Sequence, residues 1–310
     1  MTRADAIKLG TRGSPLALAQ AHEVRDLLVR HHPELAAPGA IEIIEIKTTG
    51  DQVQDRALSE VGGKGLFSKE IDAAQRDGRI DIAVHSMKDL ETHLAPGLEL
   101  IAVLEREDVR DVFISKRANR LDLLPAGSVV GTSSLRRQAQ ILHRRPDLEV
   151  CLFRGNVQTR LRKLDEGEAD ATLLALAGLN RLGKSALATE ILAPEVLLPA
   201  VAQGAIGITC RLGDTLTIDR VRALNHEPTL VRISAERALL AALDGSCRTP
   251  VGGLAEFQID GRLRLRALVA KADGSAVFET ERMGPAADGE AMGRDAGAEL
   301  KRRAGPDIFS

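Results

Sequence analysis

The chain has 310 residues, 42 Lys and Arg against 44 Asp and Glu, a net charge of −2 and 44% hydrophobic residues. This length allows two or three domains with a real core, and a mean hydropathy of −0.07 with only short apolar runs excludes a bilayer-spanning protein. With no Trp, no Tyr and six Phe, the chain has neither the basic surface nor the stacking rings that a nucleic-acid binder needs.

The opening MTRADAIKLG lacks the apolar stretch of a signal peptide. A strand is predicted at Ile7–Leu9, ending at Gly10. Ser14-Pro15 supplies a cap and a first-position proline for a helix bearing Leu16, Leu18, Ala19, Val24, Leu27 and Leu28. Strands follow at Ile41–Lys47, Ile80–Val84 and Leu98–Val103, with a helix at Phe67–Arg76. The alternation restarts near residue 110. Strands are predicted at Val112–Ile114, Ser128–Val130, Val150–Phe153 and Ala171–Leu174, and helices at Leu135–His143 and from Val157. Such β-then-α order predicts an α/β fold with mainly parallel sheets. Gly10-Thr11-Arg12-Gly13-Ser14 and Gly131-Thr132-Ser133-Ser134 each join a strand to a helix. Two similar lobes would explain this short echo, and so would chance. After a strand at Gly204–Cys210 come helices at Asp219–Leu224 and Pro228–Leu243. Alternating strands at Leu254–Ile259, Leu263–Val269 and Ala276–Glu281 follow, with hairpin turns at Asp260-Gly261 and Asp273-Gly274. A last helix, Gly289–Arg303, completes a small α+β domain.

Four segments could carry chemistry. His85-Ser86-Met87-Lys88-Asp89 follows a strand, at the end where α/β sheets bind ligands. A carboxylate there can hold a developing cation or move a proton; an ordinary salt-bridged loop is the competing reading. Residues 131–164 hold eight basic residues against two acidic ones. Arg136 and Arg137 fall in the first turn of a helix, where cations oppose the helix dipole. A bound anion would offset that cost, and Arg154 could converge on it. Arg144, Arg145, Arg162 and Lys163 fit a solvated face. Cys247 lies in the turn Asp244-Gly245-Ser246-Cys247-Arg248-Thr249-Pro250, where a neighbouring cation favours the thiolate. An attachment point and an inert loop thiol both fit. Cys151 and Cys210 lie in apolar strands as inert thiols. Three cysteines without a close pair fit a reducing cytoplasm and show no metal-ligand spacing. Gly62-Gly63-Lys64-Gly65 lacks the Ser or Thr of a phosphate loop. With Phe67 it fits a mobile lid.

These segments, in order, resemble the porphobilinogen deaminase (hydroxymethylbilane synthase) family. The motifs are GTRGSPLALAQ at 10–20, VGGKGLF at 61–67, DIAVHSMKDL at 81–90, EREDVRDVF at 105–113 and VGTSSLRRQAQ at 130–140. RGNVQTRLRKLDEGE at 154–168, LALAGLNRLG at 174–183, LPAVAQGAIGI at 198–208 and CRTPVGG at 247–253 complete a set covering nearly the whole chain.

The resemblance implies a transferase of tetrapyrrole biosynthesis. It would join four porphobilinogen molecules head to tail with loss of ammonia, then release hydroxymethylbilane to the next enzyme. The chain would grow on a dipyrromethane cofactor held by a thioether to Cys247, with Asp89 as the catalytic carboxylate. Lys88, Ser134, Arg136, Arg137 and Arg160 match contacts to the cofactor's acid groups. Arg12, Ser14, Gln20, Arg154 and Arg181 match contacts to the incoming substrate. The implied fold has two periplasmic-binding-protein-like lobes: 1–104 with 205–222, and 105–204. A third domain at 223–310 carries the cysteine. A cytoplasmic monomer without metal, membrane or nucleic-acid partner is expected. Two positions depart from the family pattern. Leu90-Glu91-Thr92 stands where a residue and then Pro-Thr is common, and Ser246 where Gly often precedes the cysteine. The competing reading is a cytoplasmic two-lobed module that binds a polycarboxylate or other anion; it needs neither Asp89 nor Cys247.

Overall fold

The computed structural model describes residues 6–52, 65–244 and 249–308. In chain order the main elements are β1 (Ile7–Arg12), α1 (Pro15–His31), β2 (Ile41–Ile46), α2 (Lys69–Arg76), β3 (Ile82–Ser86) and β4 (Leu98–Val103). Next come β5 (Asp111–Ser115), β6 (Val129–Gly131), α3 (Leu135–Arg144), β7 (Glu149–Cys151), α4 (Val157–Asp165), β8 (Ala171–Ala175), α5 (Leu176–Arg181) and β9 (Glu190–Leu192). The remainder is β10 (Ile206–Arg211), α6 (Thr215–Arg222), α7 (Glu227–Ala242), β11 (Val251–Phe257), β12 (Leu263–Ala270), β13 (Val277–Gly284) and α8 (Gly289–Ala304).

The described residues fall into two compact units. One takes those within 1–53, 63–107 and 205–230; the other takes those within 108–204 and 231–310. The first unit holds a five-stranded sheet in the order β2-β1-β3-β10-β4. Its β1 pairs in parallel with β2 and β3, while β10 runs antiparallel between β3 and β4. The second unit repeats this plan as β7-β6-β8-β5-β9. There β6 is parallel to β7 and β8, and β5 is antiparallel between β8 and β9. In each sheet four strands run one way, and the reversed strand is the one entered after the chain crosses from the other unit. A three-stranded antiparallel sheet, β11-β12-β13, completes the second unit.

The inner strands β3, β5, β8 and β10 are buried along nearly their whole length, so they read as mostly apolar runs rather than as an alternation with polar residues. Along β5, Phe113 packs with Val130, Ile141 and Leu173. Its neighbours Val112 and Ile114 point the other way, to Phe153, Leu174 and Leu179. In the first unit Leu9, Val24, Leu28, Ile82, Val84, Ile206 and Ile208 share a core. No helix among the described residues is long and apolar enough to cross a membrane.

Candidate active site

In the first unit, β3 ends in a single 3₁₀ turn, Met87–Asp89. The Met87 amide donates to Ala205 O (3.0 Å), and Leu90 N donates back to Met87 O (3.3 Å). Met87 and Leu90 are buried, which leaves Lys88 exposed and Asp89 half-buried between them. The Asp89 carboxylate has no side-chain hydrogen bond or ion pair among the described residues. At the last residue of β3, the Ser86 hydroxyl and the Gln20 amide are within 2.9–3.1 Å of each other, Gln20 being reached from α1. Ser14 is spent as the cap of α1, accepting from Ala17 N (3.2 Å).

Arg12, at the end of β1, is held by the Asp51 carboxylate through Nε (3.1 Å) and Nη2, and its guanidinium lies 4.1 Å from the centre of the Phe67 ring. Burial raises the Asp51 pKa, but hydrogen bonds from Arg12 and Thr48 outweigh it and hold the carboxyl below its ordinary value. Glu91, the residue that departs from the family pattern, accepts from Gly65 N (2.7 Å). Gly62, Gly63 and Lys64 lie outside the described residues, so of the lid reading only Gly65 and Phe67 have a described place.

In the second unit the turn from β6 into α3 is crowded. A Cβ on Gly131 would lie 2.5–2.8 Å from the Phe153 ring. Ser134 caps α3 by accepting from Arg137 N (3.4 Å). Arg136 and Arg137 are both buried, and both meet the fully buried carboxylate of Asp111 at 2.7 Å. Arg136 Nη1 also donates to Leu198 O (2.7 Å), and Arg137 Nη1 to Leu173 O (2.8 Å). Gln203 Nε2 adds a third donor to Asp111 (3.0 Å). Burial alone would raise the Asp111 pKa; the charges of Arg136 and Arg137 overcome it and hold the carboxyl far below the usual range. The cost of cations at a helix start is thus offset by an anion from the chain itself. The Nε atoms of both arginines remain buried without a partner among the described residues.

The other predicted arginines are also anchored. Arg154 is buried in the loop after β7. Arg160 Nε donates to Gly155 O (2.9 Å), and Arg181 Nη2 to Gly204 O (3.1 Å); both side chains are half-buried. Arg12, Ser14, Gln20, Lys88 and Asp89 thus belong to the first unit, and Ser134, Arg136, Arg137, Arg154, Arg160 and Arg181 to the second. Cys247 lies outside the described residues. Asp51, Asp111 and Gln203 were not foreseen. Asp111 stands in the quoted EREDVRDVF, and its signal was an acidic residue opening a buried strand.

Residues 7–219 match the family model "Porphobilinogen deaminase, dipyromethane cofactor binding domain", and residues 230–302 match "Porphobilinogen deaminase, C-terminal domain". The chain is 57% identical over 306 residues to the chloroplastic porphobilinogen deaminase of Oryza sativa subsp. japonica, covering 98% of this chain and 85% of that one. It is 55% identical over 303 residues to the porphobilinogen deaminase of Paracoccus denitrificans, covering 98% and 96%. Among solved structures, an ABC transporter periplasmic substrate-binding protein from Coxiella burnetii matches at 14% identity and a TM-score of 0.44, over 74% of this chain and 96% of that one. The chain belongs to the porphobilinogen deaminase family.

Proposed function

We propose that this member of the porphobilinogen deaminase family uses Asp89 as its catalytic carboxylate and Cys247 as the attachment point of its dipyrromethane cofactor. The reaction joins four porphobilinogen molecules head to tail and releases one ammonia at each addition. Loss of ammonia turns the substrate into a cationic azafulvene. The observation that carries the reading is the half-buried Asp89 carboxylate just after β3, which has no side-chain partner among the described residues. No cation among the described residues pairs with it, and partial burial strengthens its attraction to charge developing on the substrate. The same carboxylate can accept the pyrrole N–H and move the proton that the leaving amine needs.

The residues present fit a polycarboxylate pyrrole cofactor. Burial pushes the Cys210 thiol up to about 12, and burial also raises that of Cys151, so neither is a ready nucleophile. Cys247 is left for the thioether. Arg136 and Arg137 keep buried Nε donors without a partner among the described residues. With Lys88, Ser134 and Arg160 they would hold the cofactor's acid groups. When bound, the dipyrromethane supplies the pyrrole carbon from which the chain grows. Arg12, Ser14, Gln20, Arg154 and Arg181 would orient the carboxylates of the incoming substrate. The three separate sheets support domains at 1–104 with 205–222, 105–204 and 223–310. The free thiols of Cys151 and Cys210 suit a reducing cytoplasm, and a monomer completes the reading.

The test is the mass of the denatured full chain and the turnover of Asp89→Asn. An added mass of two linked pyrroles on the Cys247 peptide is expected. Asp89→Asn should keep the wild-type melting temperature and lose about 10²–10⁴-fold in turnover. Pyrroles on another residue, or near-normal turnover, would remove these assignments.

A further inference from the structure

The motif LPAVAQGAIGI has no role in the reading so far, yet its first seven residues, 198–204, fasten much of the arginine set. Leu198 O accepts from Arg136 Nη1 (2.7 Å) and from Gln140 Nε2 (3.1 Å), while Leu198 N donates to Gln140 Oε1 (2.7 Å). Gly204 O accepts from Arg181 Nη2 (3.1 Å). Between them, Gln203 Nε2 donates to Asp111 (3.0 Å) and to Val109 O (2.7 Å). Asp111 in turn pairs with Arg136 and Arg137.

This segment is held in a conformation that its residues do not favour. Gln203 N donates to Ala200 O (3.0 Å), closing a tight turn, and Ala202 sits inside it at φ +58°. An L-residue with a Cβ avoids that left-handed region, so the surroundings must impose it. The imposing group is Glu236 on α7. Its side chain is fully buried; Oε2 accepts from Ala202 N (2.6 Å) and Oε1 from Ala255 N at β11 (2.8 Å). A carboxylate is costly to bury, and these donors help to offset that cost with the turn in this arrangement.

We infer that Glu236 is a positioning residue for the arginine set. It holds the 200–203 turn; the flanking Leu198 and Gly204 hold Arg136 and Arg181, and Gln203 within the turn reaches Arg137 through Asp111. Helix α7 runs on to Ala242 and the chain reaches Cys247 five residues later. One helix therefore both leads to the proposed attachment point and sets the groups that receive the cofactor's acids. This rests on the reading that those arginines bind carboxylates.

The experiment compares Glu236→Gln, Gln203→Met and Arg137→Ala in the full chain. Glu236→Gln keeps the side-chain size but turns an amide N–H toward a backbone N–H. Gln203→Met breaks the same link from the other side, and stands alone if Glu236→Gln does not fold. Arg136 and Arg137 belong to the cofactor set, so each variant should lower about tenfold the fraction of folded chain that carries the dipyrromethane, read by intact mass. A purely structural role lowers the melting temperature and leaves the loading of the folded chain at the wild-type value; that result overturns the inference. If Arg137→Ala lowers loading and the other two do not, positioning alone fails. If Arg137→Ala leaves loading unchanged, the carboxylate reading itself fails.

Discussion

The turn from β1 into α1 and the turn from β6 into α3 share a plan: a glycine pressed against a core side chain, then a serine cap. They hold their arginines differently. Arg12 precedes its cap and pairs with Asp51, the two side chains being 23% and 30% exposed. Arg136 and Arg137 follow their cap and share Asp111, at 5%, 5% and 0%. A partly exposed pair is held less firmly and can exchange its anion for another carboxylate. A buried triad cannot give up its anion without leaving two charges stranded. The same fold unit thus supplies an exchangeable arginine in one place and a fixed pair in the other.

Removing the buried anion is the strongest way to test this contrast. Asp111→Ala should cost about 3–5 kcal/mol in urea unfolding, because two buried guanidiniums lose their partner. Asp111 is held below its ordinary pKa, so its contribution is complete above that value and lost as the pH falls. The difference between wild type and Asp111→Ala should therefore be flat above about pH 4 and shrink only well below it. A difference that grows on acidification would contradict the pairing.

The glycines give a smaller, sharper test. A Cβ at Gly131 meets the base of the Phe153 ring at 2.5–2.8 Å, whereas one at Gly10 meets the far end of Ile80 at 2.3 Å. Gly131→Ala should cost about 1–3 kcal/mol by overpacking, and Gly10→Ala less, since a flexible side-chain end can turn away. Equal melting temperatures for the two variants would mean that the turns are equally tolerant. The smallest effect belongs to Asp51→Ala, at about 1 kcal/mol or less. A loss as large as that of Asp111→Ala would erase the distinction.

Much of this was visible in residue order. Ser14-Pro15 marked the start of α1, and the echo at Gly131–Ser134 pointed to a second copy of the same turn. The reversed strands β5 and β10 were not foreseeable as such, because which strand lies beside which is not a local property. Strand β9 and helix α5, at three and six residues, are too short for periodicity to reveal. The awkward charge at the start of α3 announced an anion but not its source. Asp111 is 25 residues from Arg136, and only the sheet brings them together. Glu236 carried no signal, since a glutamate within a helix ordinarily faces water.

The place of β10 has a consequence for synthesis. As the chain leaves a ribosome, β4 has no partner until β10 arrives about 100 residues later, roughly 5–20 s at about 5–20 residues per second. Strands β5 to β9 emerge in that interval and contain every member of their own sheet. Until then β3 and β4 offer open edges to any neighbouring chain. The sheet holding the earliest strands is the last of the two that can be finished.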